Sequence, residues 1–241
     1  MAVAKTAPFE AHHERYERWF EAHRAAYVSE LLALRAFVPW EGHGLEIGVG
    51  TGRFAGPLGV RVGLDPSDAM LARAAARGIK TVKGIAEALP FLDGSFDHAL
   101  IVTTICFVDS PDKMIAEAHR ALRPSGSLVI GFIDRRSGLG QTYFEHQSES
   151  VFYREAVFYS AAEVGDLLRS GGFIARAWGQ TLFRPLAEID EIEPVRPGAG
   201  KGAFVVVAAD RTGDDALPLD VPALASLQAP SRVRTPGARR R

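Results

Sequence analysis

Cysteine, net charge and long apolar runs are all nearly missing from this chain, and each absence excludes something. Its one cysteine, Cys106, rules out an intramolecular disulfide and a thiolate-rich zinc site. Lys and Arg number 28 against 29 Asp and Glu, a formal charge of −1. That balance argues against a polyanionic partner, because non-specific nucleic-acid affinity rests on neutralising many phosphates. The first ten residues lack the basic start and apolar core of a secretory leader. No apolar run approaches the roughly 20 residues that cross a bilayer. The expectation is a soluble, cytoplasmic protein with no nucleic-acid or membrane partner.

What is present is an α/β pattern. The chain has 241 residues, 47% of them hydrophobic and 24% charged, enough for one domain with a single core. The most telling stretch is Leu45-Glu46-Ile47-Gly48-Val49-Gly50-Thr51-Gly52, where an apolar run carries an acid into three alternating glycines. A glycine lacks the Cβ that would clash with a ligand, so backbone can approach one closely. A dinucleotide fingerprint, G-x-G-x-x-G, would need glycine where Arg53 stands, and no Gly-Lys-Ser/Thr triplet follows for a phosphate loop. Further on, Val60 to Leu64 reads as a strand closed by Asp65 and Pro66. A carboxylate at the carboxyl edge of a parallel sheet can accept both hydroxyls of a ribose.

Glu46-Ile-Gly-x-Gly-x-Gly52 resembles the first motif of the class I S-adenosylmethionine-dependent methyltransferases. Gly84-Ile85-Ala86-Glu87-Ala88-Leu89-Pro90-Phe91-Leu92-Asp93-Gly94-Ser95-Phe96-Asp97 is similar to the G-D-A-E-x-L-P-F-x-D-x-S-F-D segment of the type 11 family, which includes ubiquinone and menaquinone biosynthesis enzymes. Leu122-Arg123-Pro124-Ser125-Gly126-Ser127-Leu128 resembles its L-R-P-G-G-x-L turn. The resemblance implies that Glu46, Gly48, Gly50 and Gly52 border the methionine part of S-adenosylmethionine. Asp65, followed by Pro66, would hold the ribose, Ala86 and Glu87 would border adenine, and Thr103 would line the methionine end. Ile85 stands where the family often has an aspartate for the adenine amino group, so backbone, Glu87 or apolar contact takes that part. The implied reaction is methyl transfer to a small-molecule acceptor, giving S-adenosylhomocysteine. The alternatives are a protein or nucleic-acid methyltransferase and a non-catalytic S-adenosylmethionine-binding sensor. At the fourth strand Thr103-Thr104-Ile105-Cys106-Phe107 lacks the Asn/Asp-Pro-Pro-aromatic motif of amide and base N-methyltransferases, which counts against a base as acceptor.

The implied fold is a Rossmann-like, doubly wound sheet of seven strands, the last antiparallel in a hairpin with the sixth. Residues 1–210 form the domain, 9–38 a helical lid and 134–159 a substrate-covering insertion, while 211–241 read as a disordered tail. Strands are expected at Gly44 to Ile47, Val60 to Leu64, Lys80 to Val82, His98 to Val102, Ser127 to Ile133, Phe173 to Thr181 and Ala203 to Ala208. From His12 to Val38 one helix is expected, with Tyr16, Phe20, His23, Tyr27, Leu31, Leu34 and Val38 on its inner face. Further helices cover Ser67 to Arg77, Pro111 to Arg123 after a Ser110 cap, and Ala161 to Ser170 after a Ser160/Glu163 capping box. Tyr16 and His23 are the candidate catalytic residues, since each brings a polar tip to an otherwise apolar face. Cys106 reads as an apolar filler, His12 and His13 as solvated rather than metal-binding, and Arg135 and Arg136 as a solvated pair rather than an anion grip.

Overall fold

The computed structural model describes residues 5–213. Eight strands form one sheet in the order β3-β2-β1-β4-β5-β8-β6-β7. They are β1 (Gly44–Ile47), β2 (Val62–Asp65), β3 (Lys80–Lys83), β4 (Phe96–Val102), β5 (Leu122–Ile133), β6 (Phe173–Thr181), β7 (Arg196–Pro197) and β8 (Phe204–Arg211). The first five pair in parallel, and β8 runs antiparallel between β5 and β6. The count thus corrects the expected seven. The additional strand is the two-residue β7, which adds to the outer edge of β6 through Gly179 and Gln180. So short a strand carries no alternating pattern that a sequence reading could detect.

Side chains along the strands alternate between two cores. Leu100 and Val102 face one layer with Val206, Ala208 and the helical residues Phe20, Ala26 and Leu34. Ala99 and Ile101 face the other with Val205, Val207, Met114, Ile115, Val164 and Leu168. The second layer is built by α5 (Pro111–Ala121) and α7 (Ala161–Ser170). α7 begins with the expected capping box, Ser160 Oγ serving the Glu163 amide and Glu163 Oε2 accepting from the Ser160 amide at 2.8 Å. At α5, Pro111 takes the first turn but Ser110 makes no side-chain cap; Glu87 Oε1 accepts instead from the Asp109 amide at 2.9 Å.

The N-terminal segment departs from the single expected helix. It forms α1 (Ala7–Ala22) and α2 (Arg24–Arg35), broken at His23, whose backbone leaves the helical region at φ −117° and ψ 47°. The His23 ring lies against Trp19 at 5.0 Å, and its Nδ1 is 3.0 Å from the Trp19 carbonyl oxygen. A ring that bonds back to the preceding turn competes with helix continuation.

α1 is fastened across the glycine loop by ions. Glu17, 8% exposed, accepts from Arg53 Nη2 at 2.6 Å and from Arg77 Nη2 at 2.7 Å through its Oε2. Arg53 follows the glycine run, and Arg77 caps α4 (Asp68–Ala76), so one carboxylate ties three elements. Those partners hold its carboxyl below the usual range against the opposing pull of burial, the larger single influence. Glu17→Gln is expected to cost ~1.5–3 kcal/mol, the range for hydrogen bonds to charged groups. Equilibrium denaturation checks this.

Between β5 and α7 the expected insertion contains a helix, α6 (Gly138–Glu145), started by Ser137 accepting from the Gly140 amide at 3.0 Å. At the far end β8 runs to Arg211, and Thr212 Oγ1 donates to the Gly172 carbonyl at 2.7 Å. The described structure continues to residue 213, past the expected boundary at 210, and the rest of the expected tail, 214–241, lies outside the described residues.

Candidate active site

Along the carboxyl ends of the strands runs one cavity of about 480 Å³. That lies within the roughly 300–1,000 Å³ typical of ligand sites, and such sheets hold ligands at this edge. Its course follows the strand order. Gly48, Gly50, Asp65, Pro66, Ile85 and Ala86 line one end, after β1, β2 and β3. Thr103 and Thr104 follow β4 in the middle. Ile133, Leu139, Tyr143, Leu182 and Leu186, after β5 and β6, close the other end.

The three glycines do different work. Gly48 has φ +75°, and a Cβ there would meet Thr104 Oγ1 at 2.2 Å. Gly52 is likewise pressed against Ile79 and Ala74, and is absent from the cavity wall. Gly50, at φ +51°, is less crowded: an added Cβ would meet Tyr16 Oη at 3.6 Å, an ordinary van der Waals contact. Gly48→Ala is expected to lower stability by about 1–2 kcal/mol from the left-handed backbone alone. Displacement of Thr104 adds to this, and a melting curve reads the sum.

Asp65 anchors the loop from the next strand. Its Oδ2 accepts from the Gly50 amide and its Oδ1 from the Ser67 amide, each at 2.9 Å. Burial pushes its carboxyl up, and the two amides pull it back. Each carboxylate oxygen has a second lone pair, so two acceptor positions remain on a residue that lines the cavity. Glu46, 1% exposed, lies beneath the loop and is absent from the cavity wall. Burial drives its carboxyl well above the usual range, the Ala55 amide opposing and nearby Asp65 reinforcing the rise.

Glu87 lines the cavity, yet its Oε1 already serves the Asp109 and Ser110 amides at 2.9 and 3.4 Å. The polar contacts seen at Glu87 are thus structural ones. Thr103 sits at φ +51°, its amide held by the Gly131 carbonyl at 2.8 Å. Cys106 packs with Ala156 and Phe158, and burial pushes its thiol up to about 12, the behaviour of an apolar filler. Arg135 is spent on Glu163 at 2.8 Å, and His13 Nδ1 accepts from Arg73 Nε at 3.0 Å. No cluster of metal-ligating side chains occurs among the described residues, and none of their helices is long and apolar enough to cross a membrane.

The two candidate catalytic residues part company. Tyr16 lines the cavity, its phenol raised by burial and then by Glu46, Asp65 and Glu30. His23 sits at the break between α1 and α2, off the cavity wall. Aromatic rings join α1 to the insertion above the cavity: Phe9 meets Phe152 at 5.3 Å, and Tyr16 meets Phe152 at 5.9 Å.

One wall residue escaped the sequence reading. Glu30, on α2, is 5% exposed and lines the cavity, and no hydrogen bond or ion pair reaches its carboxyl among the described residues. Burial alone pushes that carboxyl up to about 8. The signal was available in the spacing Ala26, Ser29, Glu30, Ala33, Leu34, which is the buried face of α2.

Comparison with known proteins agrees with this geometry. A model described as a methyltransferase domain matches residues 45–130. A crystal structure from Thermotoga maritima, described as a SAM-dependent methyltransferase and "possible histamine N-methyltransferase", is 50% identical with a TM-score of 0.82, covering 85% of this chain and 98% of that one. An uncharacterized protein of Methanocaldococcus jannaschii is 43% identical over 203 residues, 84% of this chain and 98% of its own length. The ubiquinone/menaquinone biosynthesis C-methyltransferase of Methylobacterium nodulans is 37% identical over 121 residues, 44% of this chain and 48% of its own. Glycine loop, strand-end acid and relatives converge: the chain belongs to the class I S-adenosylmethionine-dependent methyltransferases of the type 11 family.

Proposed function

We propose that the protein methylates a small molecule held in the same cavity as the donor, at the end formed by α2, α6 and the turn after β6. The observation that carries this is continuity: a single cavity runs from the Gly50 and Asp65 end to the Tyr143 and Leu182 end. When bound, S-adenosylmethionine supplies an electrophilic methyl group on a positively charged sulfur. The residues fit it. Gly50 leaves room for close approach, Asp65 offers two free acceptor positions for the ribose hydroxyls, and Ile85 and Ala86 present an apolar wall for adenine.

Tyr16 and the Phe9–Phe152 contact act as the cover, with α1 as lid and the insertion meeting it. A covered, largely apolar chamber aligns the reactants and limits water, which is most of what a methyl transfer asks of its protein. A site under such a cover suits a small acceptor rather than a folded macromolecule or a base in a duplex, and histamine, named in the description of the Thermotoga maritima relative as a "possible histamine N-methyltransferase", is a molecule of that size.

Calorimetry with S-adenosylmethionine and S-adenosylhomocysteine on the folded protein tests the donor assignment, and heat is expected with both. No heat with either, beside binding of a pyridine dinucleotide, overturns it. Release of S-adenosylhomocysteine with a small-molecule acceptor panel, and not with nucleic acid or protein, then tests the acceptor.

A further inference from the structure

We infer that Glu30 is the acceptor-binding carboxylate and that the acceptor is a small amine, whose ammonium group Glu30 pairs with and deprotonates. This rests on the proposed function, because it assigns the far end of the same cavity to the acceptor. Glu30 is 5% exposed, and what exposure it has faces the cavity it lines. A buried carboxyl with no hydrogen-bonding or ionic partner costs stability, and this one, unlike Glu46 beneath the loop, lines the cavity, where a ligand can supply the missing partner. The partner that best satisfies a buried carboxylate is a cation.

The surroundings have the same preference. Glu30 is among the groups whose charge raises the phenols of Tyr16 on α1, Tyr143 on α6 and Tyr153 beyond it, and Tyr27 on α2 itself. Tyr16, Tyr143 and Tyr153 line the same cavity as Glu30, and the faces of such rings attract a cation. Lys5 pairs with Asp109 at 3.2 Å, and Arg15 is solvent-exposed on α1. His146 and Glu149 line the wall from the insertion, and the remaining wall acids are Asp65, Glu87 and Asp109, the last paired with Lys5. Burial is the single cause acting on the Glu30 carboxyl, and it places the group near 8, where it can give or take a proton close to neutral pH.

The chemistry balances. An ammonium N–H passes its proton to a Glu30 carboxylate oxygen, leaving a neutral amine with a lone pair. That lone pair forms the new nitrogen–carbon bond to the methyl group as the carbon–sulfur bond breaks and sulfur keeps its electron pair. The product leaves as the methylated ammonium, and Glu30 passes the proton it accepted to solvent, which restores the carboxylate.

Calorimetry on the full chain saturated with S-adenosylhomocysteine tests the inference. The titrants are a panel of small primary and secondary amines, 2-phenylethylamine, tryptamine, histamine and N-methylbutylamine among them, each beside its alcohol counterpart. At least one amine is expected to bind tenfold or more tighter than its alcohol, and Glu30→Gln is expected to abolish that preference while S-adenosylhomocysteine binds as before. Glu30→Asp is expected to restore part of it. Alcohols binding as well as amines, or an amine preference that survives Glu30→Gln, overturns the inference and leaves the donor assignment standing. Failure of S-adenosylhomocysteine to bind the wild type overturns the proposed function itself.

Discussion

Glu30→Gln is expected to stabilise the ligand-free protein increasingly as pH rises from about 5 to 9. In the fold the carboxyl titrates near 8 because burial penalises its charge, whereas an unfolded glutamate titrates near its ordinary value of 4.5. Below 4.5 the group is protonated in both states and contributes nothing to the pH dependence. Between the two values the unfolded state has lost its proton and the native state has kept it, so stability falls as pH rises. Above 8 the full penalty is present. A difference of 3.5 pH units, 8 minus 4.5, corresponds to about 5 kcal/mol as an upper bound. Glutamine removes this dependence, since it does not titrate. Urea denaturation of both proteins at several pH values reads it directly, and parallel stability–pH curves would show that Glu30 is ionised and satisfied in the native fold.

Asp65→Ala is expected to weaken S-adenosylhomocysteine binding by ~3–6 kcal/mol, the sum of two hydrogen bonds to a charged acceptor at ~1.5–3 kcal/mol each. That is a loss on the order of 10²–10⁴-fold in Kd. Part of the loss comes through the loop. The same carboxylate holds the Gly50 and Ser67 amides at 2.9 Å, so its removal frees the backbone facing the ligand. Asp65→Asn keeps an acceptor oxygen for one of these amides but sets an NH2 donor against the other, so it is expected to weaken binding as well. Calorimetry gives the affinities, and unchanged affinity in Asp65→Ala would mean that the ribose is held elsewhere.

The donor end was legible in the sequence because punctuation marks it. Glycines, an acid and a proline stand at the strand ends, and β1 at Gly44–Ile47 and β6 at Phe173–Thr181 have the expected bounds. β5 starts earlier than Ser127, at Leu122, since Leu122 already pairs with Phe96 while the Arg123-Pro124 sequence reads as a turn. Glu30 was missed for a different reason. Large aromatics and leucines drew the inner face of the helix through Tyr27 and Leu31, whereas small residues, Ala26, Ser29 and Ala33, are what pack closest. With the inner face drawn through Tyr27 and Leu31, Glu30 was not among its residues, although Leu34 and Val38 on that face are buried as expected. Burial of a lone charge is a tertiary event that periodicity does not report.

The matched family region closes at residue 130, before Ile133, Tyr143 and Leu182 reach the cavity, and it opens at 45, after Glu30. On the proposed reading, the shared segment carries the methyl source and the flanks on either side carry the choice of recipient. Exchanging both flanks between relatives should therefore redirect such an enzyme to a new target without rebuilding its engine.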